Sequence, residues 1–277
     1  MIETSPSGGV DLFDVHRIRL EETEAPPLSP KDRQAVDQAW DEAVRANPAL
    51  FDGPAVACVG TEWEGPHDLL LRWARVTYRH YALGRFPVLT AWSPSLFVNV
   101  VQPTDDGRVL AVRMSPSTAA PGRWQLPGGS AEPPEPHRTL DEAALRRHAA
   151  LELVEETGID VRPEDLRLWV VTRGVDRSVG LMFLAPPKSE RVIRERFEAM
   201  TAAERAQGRL PELDQTALVS SSTDLSLLAG PHVDYLEPIV RRSTRLLKDG
   251  ATSARPPQSQ PVPRCRVVDG DGRATPG

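Results

Sequence analysis

The sequence predicts an α/β (α+β) fold in which helices cover the faces of a mixed sheet. Three observations carry this prediction. Apolar strands recur in pairs around tight reversals, helical stretches stand apart between those pairs, and one helix carries recognisable start and stop signals.

Taken in order, "VDLFDVHRIRL" at 10–20 alternates as one strand, and "SPKDRQAVDQAWDEAVRAN" at 29–47 is a helix opened by Ser29 and Pro30. "AVACVGTEW" is a strand, and "HDLLLRWARVTYRHYALG" is a strand or a helix, since periodicity alone does not separate the two. "SLFVNVVQP" and "RVLAVRMS" are strands around the turn "TDDG", whose Asp-Gly signals a tight reversal. After "GRWQLPGG" and a proline-rich stretch comes a helix. "LRLWVVTRG" and "VGLMFLAPP" are further strands, "SERVIRERFEAMTAAERAQG" an amphipathic helix, "QTALVSS" a strand, and "EPIVRRSTRLLKDG" a closing helix. Residues 1–92 thus read as an N-terminal α+β extension, 93–249 as the main domain, and the Pro- and Ser-rich 250–277 as a disordered tail.

The chain has 277 residues, 40% of them hydrophobic, enough for a substantial core. No apolar run approaches the roughly 20 residues of a membrane helix, and "MIETSPSGGVDLFD" has neither the basic nor the apolar region of a secretory leader, so a cytoplasmic protein that engages no membrane is expected. Cys58 and Cys265 are the only cysteines and lie far apart, which argues against a cysteine metal site. A net charge of -6 argues against binding a nucleic acid backbone, while arginines outnumbering the three lysines leave room for bidentate contacts to a small anion.

The helix signals surround "LELVEETGI" at 151–159. "TLDE" at 139–142 has the form of a capping box, with Thr139 as the cap and Glu142 reaching back to it. Leu145, Ala149 and Leu153 form an apolar seam, and Gly158 is placed to close the helix in the left-handed conformation. Glu152, Glu155 and Glu156 then share one side. Like charges at this spacing repel by a few tenths of a kcal/mol per pair, and a divalent cation reverses that sign. Oxygen donors suit Mg2+ or Mn2+. An ordinary solvated helix face is the competing reading of the three glutamates taken alone.

Their setting distinguishes the two. "LPGG" before the helix and "ETGI" after it, leading into a strand, resemble the box of the Nudix hydrolase family. Gly129 matches its opening glycine, Glu152 the first helical glutamate, Leu153 the apolar position, Glu155 and Glu156 the acidic pair, and Gly158 and Ile159 its end. The resemblance spans about residues 95–248. Two positions depart from it: Leu151 stands where the family has arginine, with Arg146 and Arg147 as possible substitutes, and about eight extra residues follow Gly129, leaving Glu142 nearest to the family's early glutamate.

The resemblance implies a Nudix-like α/β/α sandwich and Mg2+- or Mn2+-dependent hydrolysis of the pyrophosphate in a nucleoside diphosphate linked to a further group. It implies Glu152, Glu155 and Glu156 as metal ligands, Glu152 and Glu155 as catalytic carboxylates, and Glu212 or Asp214 as a further base. Gly128, Gly129, Arg113, Arg123 and Trp124 are the candidate substrate contacts, Phe97 and Trp92 further stacking aromatics, and His137 a loop histidine of the expanded region. "LFDGPAVACVG" and "VTYRHYALGR" also resemble the branch that hydrolyses UDP-glucose and UDP-galactose, which points to a nucleotide sugar, with ADP-ribose-type substrates as the other class. A homodimer is possible through the N-terminal extension. The alternative is a Nudix domain that binds a nucleotide as sensor or scaffold without cleaving it, for which Leu151 speaks.

Overall fold

The computed structural model describes residues 2–3, 9–48, 50–85 and 94–253. In chain order the elements are β1 (Ile2–Glu3), β2 (Asp11–Phe13), β3 (Arg17–Glu22), α1 (Pro30–Ala46), β4 (Pro54–Trp63), β5 (Asp68–Thr77), a 3-10 helix at Tyr78–Arg85, β6 (Leu96–Val101), β7 (Val109–Met114), β8 (Trp124–Gln125) and β9 (Gly128–Ser130). There follow α2 (Glu142–Thr157), a 3-10 turn at Pro163–Asp165, β10 (Arg167–Arg173), β11 (Val179–Leu184), α3 (Glu190–Ala206), β12 (Leu213–Val219), α4 (Ser222–Ser226) and α5 (Leu236–Ser253).

The strands form a six-stranded sheet in the order β1-β2-β10-β11-β6-β9 and two three-stranded sheets, β12-β7-β8 and β3-β5-β4. The β11–β6 and β3–β5 pairs are parallel and the other ladders antiparallel, so the six-stranded and β3-β5-β4 sheets are mixed as expected and the β12-β7-β8 sheet is antiparallel. Residues alternate between two cores. Leu96, Val98 and Val100 of β6, Leu110 and Val112 of β7 and Leu181 and Phe183 of β11 join Leu145, Ala149 and Leu153 of α2 and Ile193 of α3. Val101, Val109, Ala111 and Met182, facing the other way, join Leu236, Ile239 and Val240 of α5. Strands apolar on both faces must be covered on both faces, and α2 with α3 on one side and α5 on the other do so. Leu145 and Leu153 are fully buried, worth roughly 1.5–3 kcal/mol each in area removed from water.

Two expectations need correction, and a third is met in an unforeseen sheet arrangement. "VDLFDVHRIRL" is two strands in different sheets, because Asp14 turns the corner between them: its carboxylate accepts from Arg242 of α5 and its carbonyl lies 3.0 Å from His67 Nδ1. The "TDDG" reversal is tight, with Gly107 at φ 87° and Thr104 N donating to Arg108 O at 2.7 Å, but its strands part into separate sheets rather than forming one hairpin ladder. The α2 cap is Asp141, whose Oδ1 accepts from Ala144 N at 2.7 Å, and Glu142 bonds Arg146 rather than reaching back to Thr139. Gly158 does close α2 at φ 70°, where a side chain would stand 2.6 Å from Arg196 O of α3.

β2 pairs with β10, so part of the N-terminal extension is built into the sheet of the main domain. α1 and β3–β5 make up the rest of that extension, with Ser29 capping α1 by accepting from Asp32 N. The tail proposed at 250–277 lies outside the described residues beyond Ser253, up to which α5 continues. No helix among the described residues is long and apolar enough to cross a membrane.

Candidate active site

A cavity of about 980 Å³ opens where the β9 loop, the last turns of α2 and the stretch before β12 converge, and Gly128, Gly129, Glu132, Glu152 and Glu212 line one end of it. The glycines make this convergence possible. Gly128 has φ 139°, and a side chain there would strike Val98 O at 2.1 Å; one on Gly129 would stand 2.7 Å from Glu152 Oε1. Glycine is required at the first position by backbone conformation and at the second by the close approach of a carboxylate. Gly128 N donates to Glu156 Oε2 at 2.7 Å, tying the loop to the helix.

Glu156 is only 5% exposed. Burial, with the charges of Glu152, Glu212 and Glu155 around it, pushes its carboxyl well above the usual range, against the pull of the Gly128 amide. Burial and the Glu152 charge also raise Glu155, with Glu132 adding to the effect, and burial followed by the Glu152, Glu204 and Glu155 charges raises Glu212. Glu132, Glu152, Glu155, Glu156 and Glu212 therefore form one electrostatic cluster, in which each charge makes its neighbours harder to ionise. Among the described residues no three His, Cys, Asp or Glu side chains are already gathered around a common point to hold a metal ion. Glu156 is aimed at Gly128 N, and Glu152 Oε1 is 2.8 Å from His148 Nε2. The donor chemistry, carboxylate oxygens under mutual repulsion, fits a hard divalent cation.

The candidate residues separate into two groups. Gly128, Gly129, Arg123, Glu152, Glu212 and Phe97 line the cavity, Phe97 stacked on Tyr235 with ring centroids 5.4 Å apart. Trp124 and Arg113 do not line it. Trp124 is buried among the α5-side apolar residues, its indole N–H donating to Ala229 O at 3.1 Å, and Arg113 pairs with Asp214 at 3.4 Å. Strand alternation turns these two side chains away while delivering Arg123 and Gln125 to the cavity. Asp214 is thereby engaged as well, leaving Glu212 as the acid of this stretch that reaches the site. Arg146 pairs with Glu142, Arg147 is exposed, and Leu151 is 50% exposed, so none of them steadies Glu152. Trp92 lies outside the described residues, and His137 sits at φ 74° in the expanded loop.

The model of the NUDIX domain family matches residues 95–217. This segment is a NUDIX domain. The match supports a Nudix pyrophosphohydrolase domain within residues 95–217, and the mixed α+β architecture is the one expected of it. No curated protein matches the chain in sequence. Among solved structures it is similar to the MutT protein of Methanosarcina mazei Go1, at 21% identity over 56% of this chain and 96% of that one, with a TM-score of 0.37. It is similar also to the E. coli ORF135 protein, at 17% identity over 58% and 94% of the two chains, with a TM-score of 0.35. A bifunctional NMN adenylyltransferase/ADP ribose pyrophosphatase from Francisella tularensis, complexed with AMP and a Mn ion, follows at 18% identity over 56% and 42%, with a TM-score of 0.33. Likeness at this level bears on neither substrate nor mechanism.

Two residues of the NUDIX domain's cluster escaped the sequence reading. Glu132, three residues past Gly129, lines the cavity, whereas Glu142, the acid closest to the helix start, is bound to Arg146. His148 was legible in principle, one helical turn before Glu152 on the same face. Although burial opposes it, the hydrogen bond and charge of Glu152 raise the His148 imidazole above its ordinary value. His148 thus gives Glu152 a hydrogen-bond partner, Nε2 at 2.8 Å from Oε1, that Leu151 does not.

Proposed function

We propose that this NUDIX domain hydrolyses, with Mg2+ or Mn2+, the pyrophosphate bond of a nucleoside diphosphate linked to a second group, a nucleotide sugar of UDP type or an ADP-ribose-type compound, releasing a nucleoside monophosphate. The observation that carries this reading is that Glu132, Glu152 and Glu212 line a glycine-lined cavity large enough for such a molecule, with Glu155 and Glu156 electrostatically coupled to them. Glu152, Glu155 and Glu156 would hold the metal, with Glu132 beside them. When bound, the metal supplies neutralisation of the phosphate charge and a lower pKa for water.

The chain's own residues do the rest. Arg123, which lines the cavity, offers a guanidinium to the phosphate oxygens, in the geometry suited to bidentate contact. Gly128 and Gly129 let the backbone and the substrate approach closely. Glu212, whose carboxyl is raised above its ordinary value by burial, takes a proton from the attacking water, with Glu155 as the second candidate for this role. Water adds across the P–O–P link: its hydroxyl bonds to one phosphorus, the bond from that phosphorus to the bridging oxygen breaks and the other phosphate departs with the oxygen, and the one remaining proton passes to the base. Residues 93–249 are proposed as the extent of the domain that carries this chemistry.

The test is release of UMP or AMP from UDP-sugars, ADP-ribose, NADH and diadenosine polyphosphates, with and without Mg2+. Metal-dependent release from one class is the expected result. Exposed Leu151 in place of arginine favours a second reading, a nucleotide-binding sensor. Folded protein that binds nucleotide and Mg2+ but releases no monophosphate would establish that reading instead.

A further inference from the structure

The N-terminal extension and the extra residues after Gly129 are bonded to each other. Val56 of β4 and Arg75 of β5 stand opposite one another in the extension's sheet. From that one rung Val56 N donates to Ala131 O at 3.0 Å, and Arg75 Nη1 donates to Pro134 O at 2.7 Å. Ala131 is fully buried, and its own N–H donates to Leu96 O of β6 at 2.9 Å. The two grips fall on either side of Glu132, which lines the cavity. Pro133 and Pro134 follow it directly. Proline fixes its own φ and keeps the residue before it extended, so pinning Ala131 and Pro134 leaves the Glu132 backbone little freedom. Arg75 is itself set in place, with Nε donating to Glu22 Oε1 of β3 at 2.7 Å and the guanidinium 5.5 Å from the Trp73 ring centroid.

The extension grips a second part of the cavity lining as well. Asn47, at the end of α1, donates from Nδ2 to Ser117 O at 3.2 Å and to Thr118 O at 3.1 Å. These carbonyls belong to the loop between β7 and β8, from which Ser117, Thr118 and Ala120 line the cavity. The loop closes on Arg123, whose N donates to Ala120 O at 3.2 Å and whose carbonyl accepts from Met114 N at 3.0 Å. A loop held by Asn47 thus carries the guanidinium that lines the cavity. In the chain between the two grips, Phe51, Pro54 and Ala55 line the cavity directly.

We propose that the extension is a clamp on the active site with two arms. Arg75, through Pro134, positions Glu132 beside the metal ligands, and Asn47, through the β7–β8 loop, positions Arg123 for the phosphate. Both are positioning residues, since neither lines the cavity. The extra residues after Gly129 are the strap by which the first arm reaches the site. What the clamp positions rests on the hydrolase reading above; the grip itself rests on the hydrogen bonds alone.

Calorimetry with the full chain separates the two arms. Mg2+ alone probes the first, and UMP and AMP in saturating Mg2+ probe the second, for the wild type, Arg75→Met, Arg75→Lys and Asn47→Leu. Arg75→Met should weaken Mg2+ by roughly 10- to 100-fold, as loss of an outer partner does, and leave nucleotide binding at saturating Mg2+ little changed. Removal of a positive charge by itself strengthens cation binding, so the sign distinguishes positioning from charge. Arg75→Lys, which retains a donor for Pro134 O, should keep most of the affinity. Asn47→Leu should weaken the nucleotides by about 10-fold, the order of one lost hydrogen bond, leave Mg2+ unchanged, and raise KM more than it lowers kcat. Equal weakening of both probes by both variants, or unchanged binding in both, overturns the clamp, as does a wild type that binds neither Mg2+ nor a nucleotide. The expected binding pattern without hydrolysis overturns the hydrolase reading and leaves the clamp standing.

Discussion

Replacing Gly129 with alanine would place a methyl carbon 2.7 Å from Glu152 Oε1, 2.9 Å from Cδ and 3.0 Å from Oε2. A carbon and an oxygen rest at roughly 3.3–3.6 Å, so the carboxylate must withdraw by at least about 0.6 Å. Gly129 does not have a left-handed backbone, and the obstructing atoms end a flexible side chain, so the fold should accept the methyl group by turning Glu152 aside. A misplacement of about 1 Å can cost on the order of a hundredfold in rate, which sets the expected loss in kcat for Gly129→Ala at roughly 10- to 100-fold. The assay is steady-state release of nucleoside monophosphate together with thermal unfolding, and Tm should scarcely move. Gly128→Ala supplies the contrast. Its methyl would meet backbone, Val98 O at 2.1 Å, at φ 139°, a strain of about 1–3 kcal/mol before the clash is counted. Its Tm should fall by several degrees. Full kcat in a stably folded Gly129→Ala would refute the claim that the glycine loop sets the position of a reactive carboxylate.

The remaining predictions concern the carboxylate cluster. Glu156→Gln keeps an acceptor for Gly128 N and removes a buried charge, so the metal-free protein should unfold at the same or a higher temperature, while the Mg2+-induced rise in Tm disappears and the rate falls by more than about a hundredfold; a lower metal-free Tm with the Mg2+ response intact would contradict this. For Glu155, Glu156 and Glu212, whose folded-state pKa values are raised chiefly by burial, the native state keeps protons that the unfolded chain loses above pH 4.5, so their contribution to stability declines as pH rises. His148, also raised, contributes in the same direction above pH 6.5. In EDTA, Tm should therefore fall between about pH 5 and 8, and saturating Mg2+ should flatten the slope; a Tm that climbs over this interval in EDTA would show the cluster to be electrostatically unimportant. His148→Ala should lower Mg2+ affinity by roughly 10- to 100-fold through the freed Glu152, as loss of an outer partner does, and an unchanged affinity by calorimetry would remove His148 from the site.

What the sequence by itself determined was local. The period of Leu145, Ala149 and Leu153, the closing Gly158, the Ser29 cap of α1 and the Asp-Gly reversal at 106–107 depend on residues within a turn or two of one another, and the structure contains each of them. The face shared by Glu152, Glu155 and Glu156 follows from helical pitch in the same way. Tertiary structure decided the rest. Whether β6 and β7 form a hairpin or enter different sheets depends on partners such as β11 and β12, far along the chain, that complete their ladders. Which acids join the helix glutamates depends on where the β9 loop and the start of β12 come to rest: Glu132 and Glu212 arrive, while Asp214, two residues on, is drawn to Arg113. Strand alternation sent Trp124 into the core and Arg123 to the cavity, a choice of face that register alone makes. Phe51, about 100 residues before Glu152, lines the same cavity for the same kind of reason, since only packing carries the extension there.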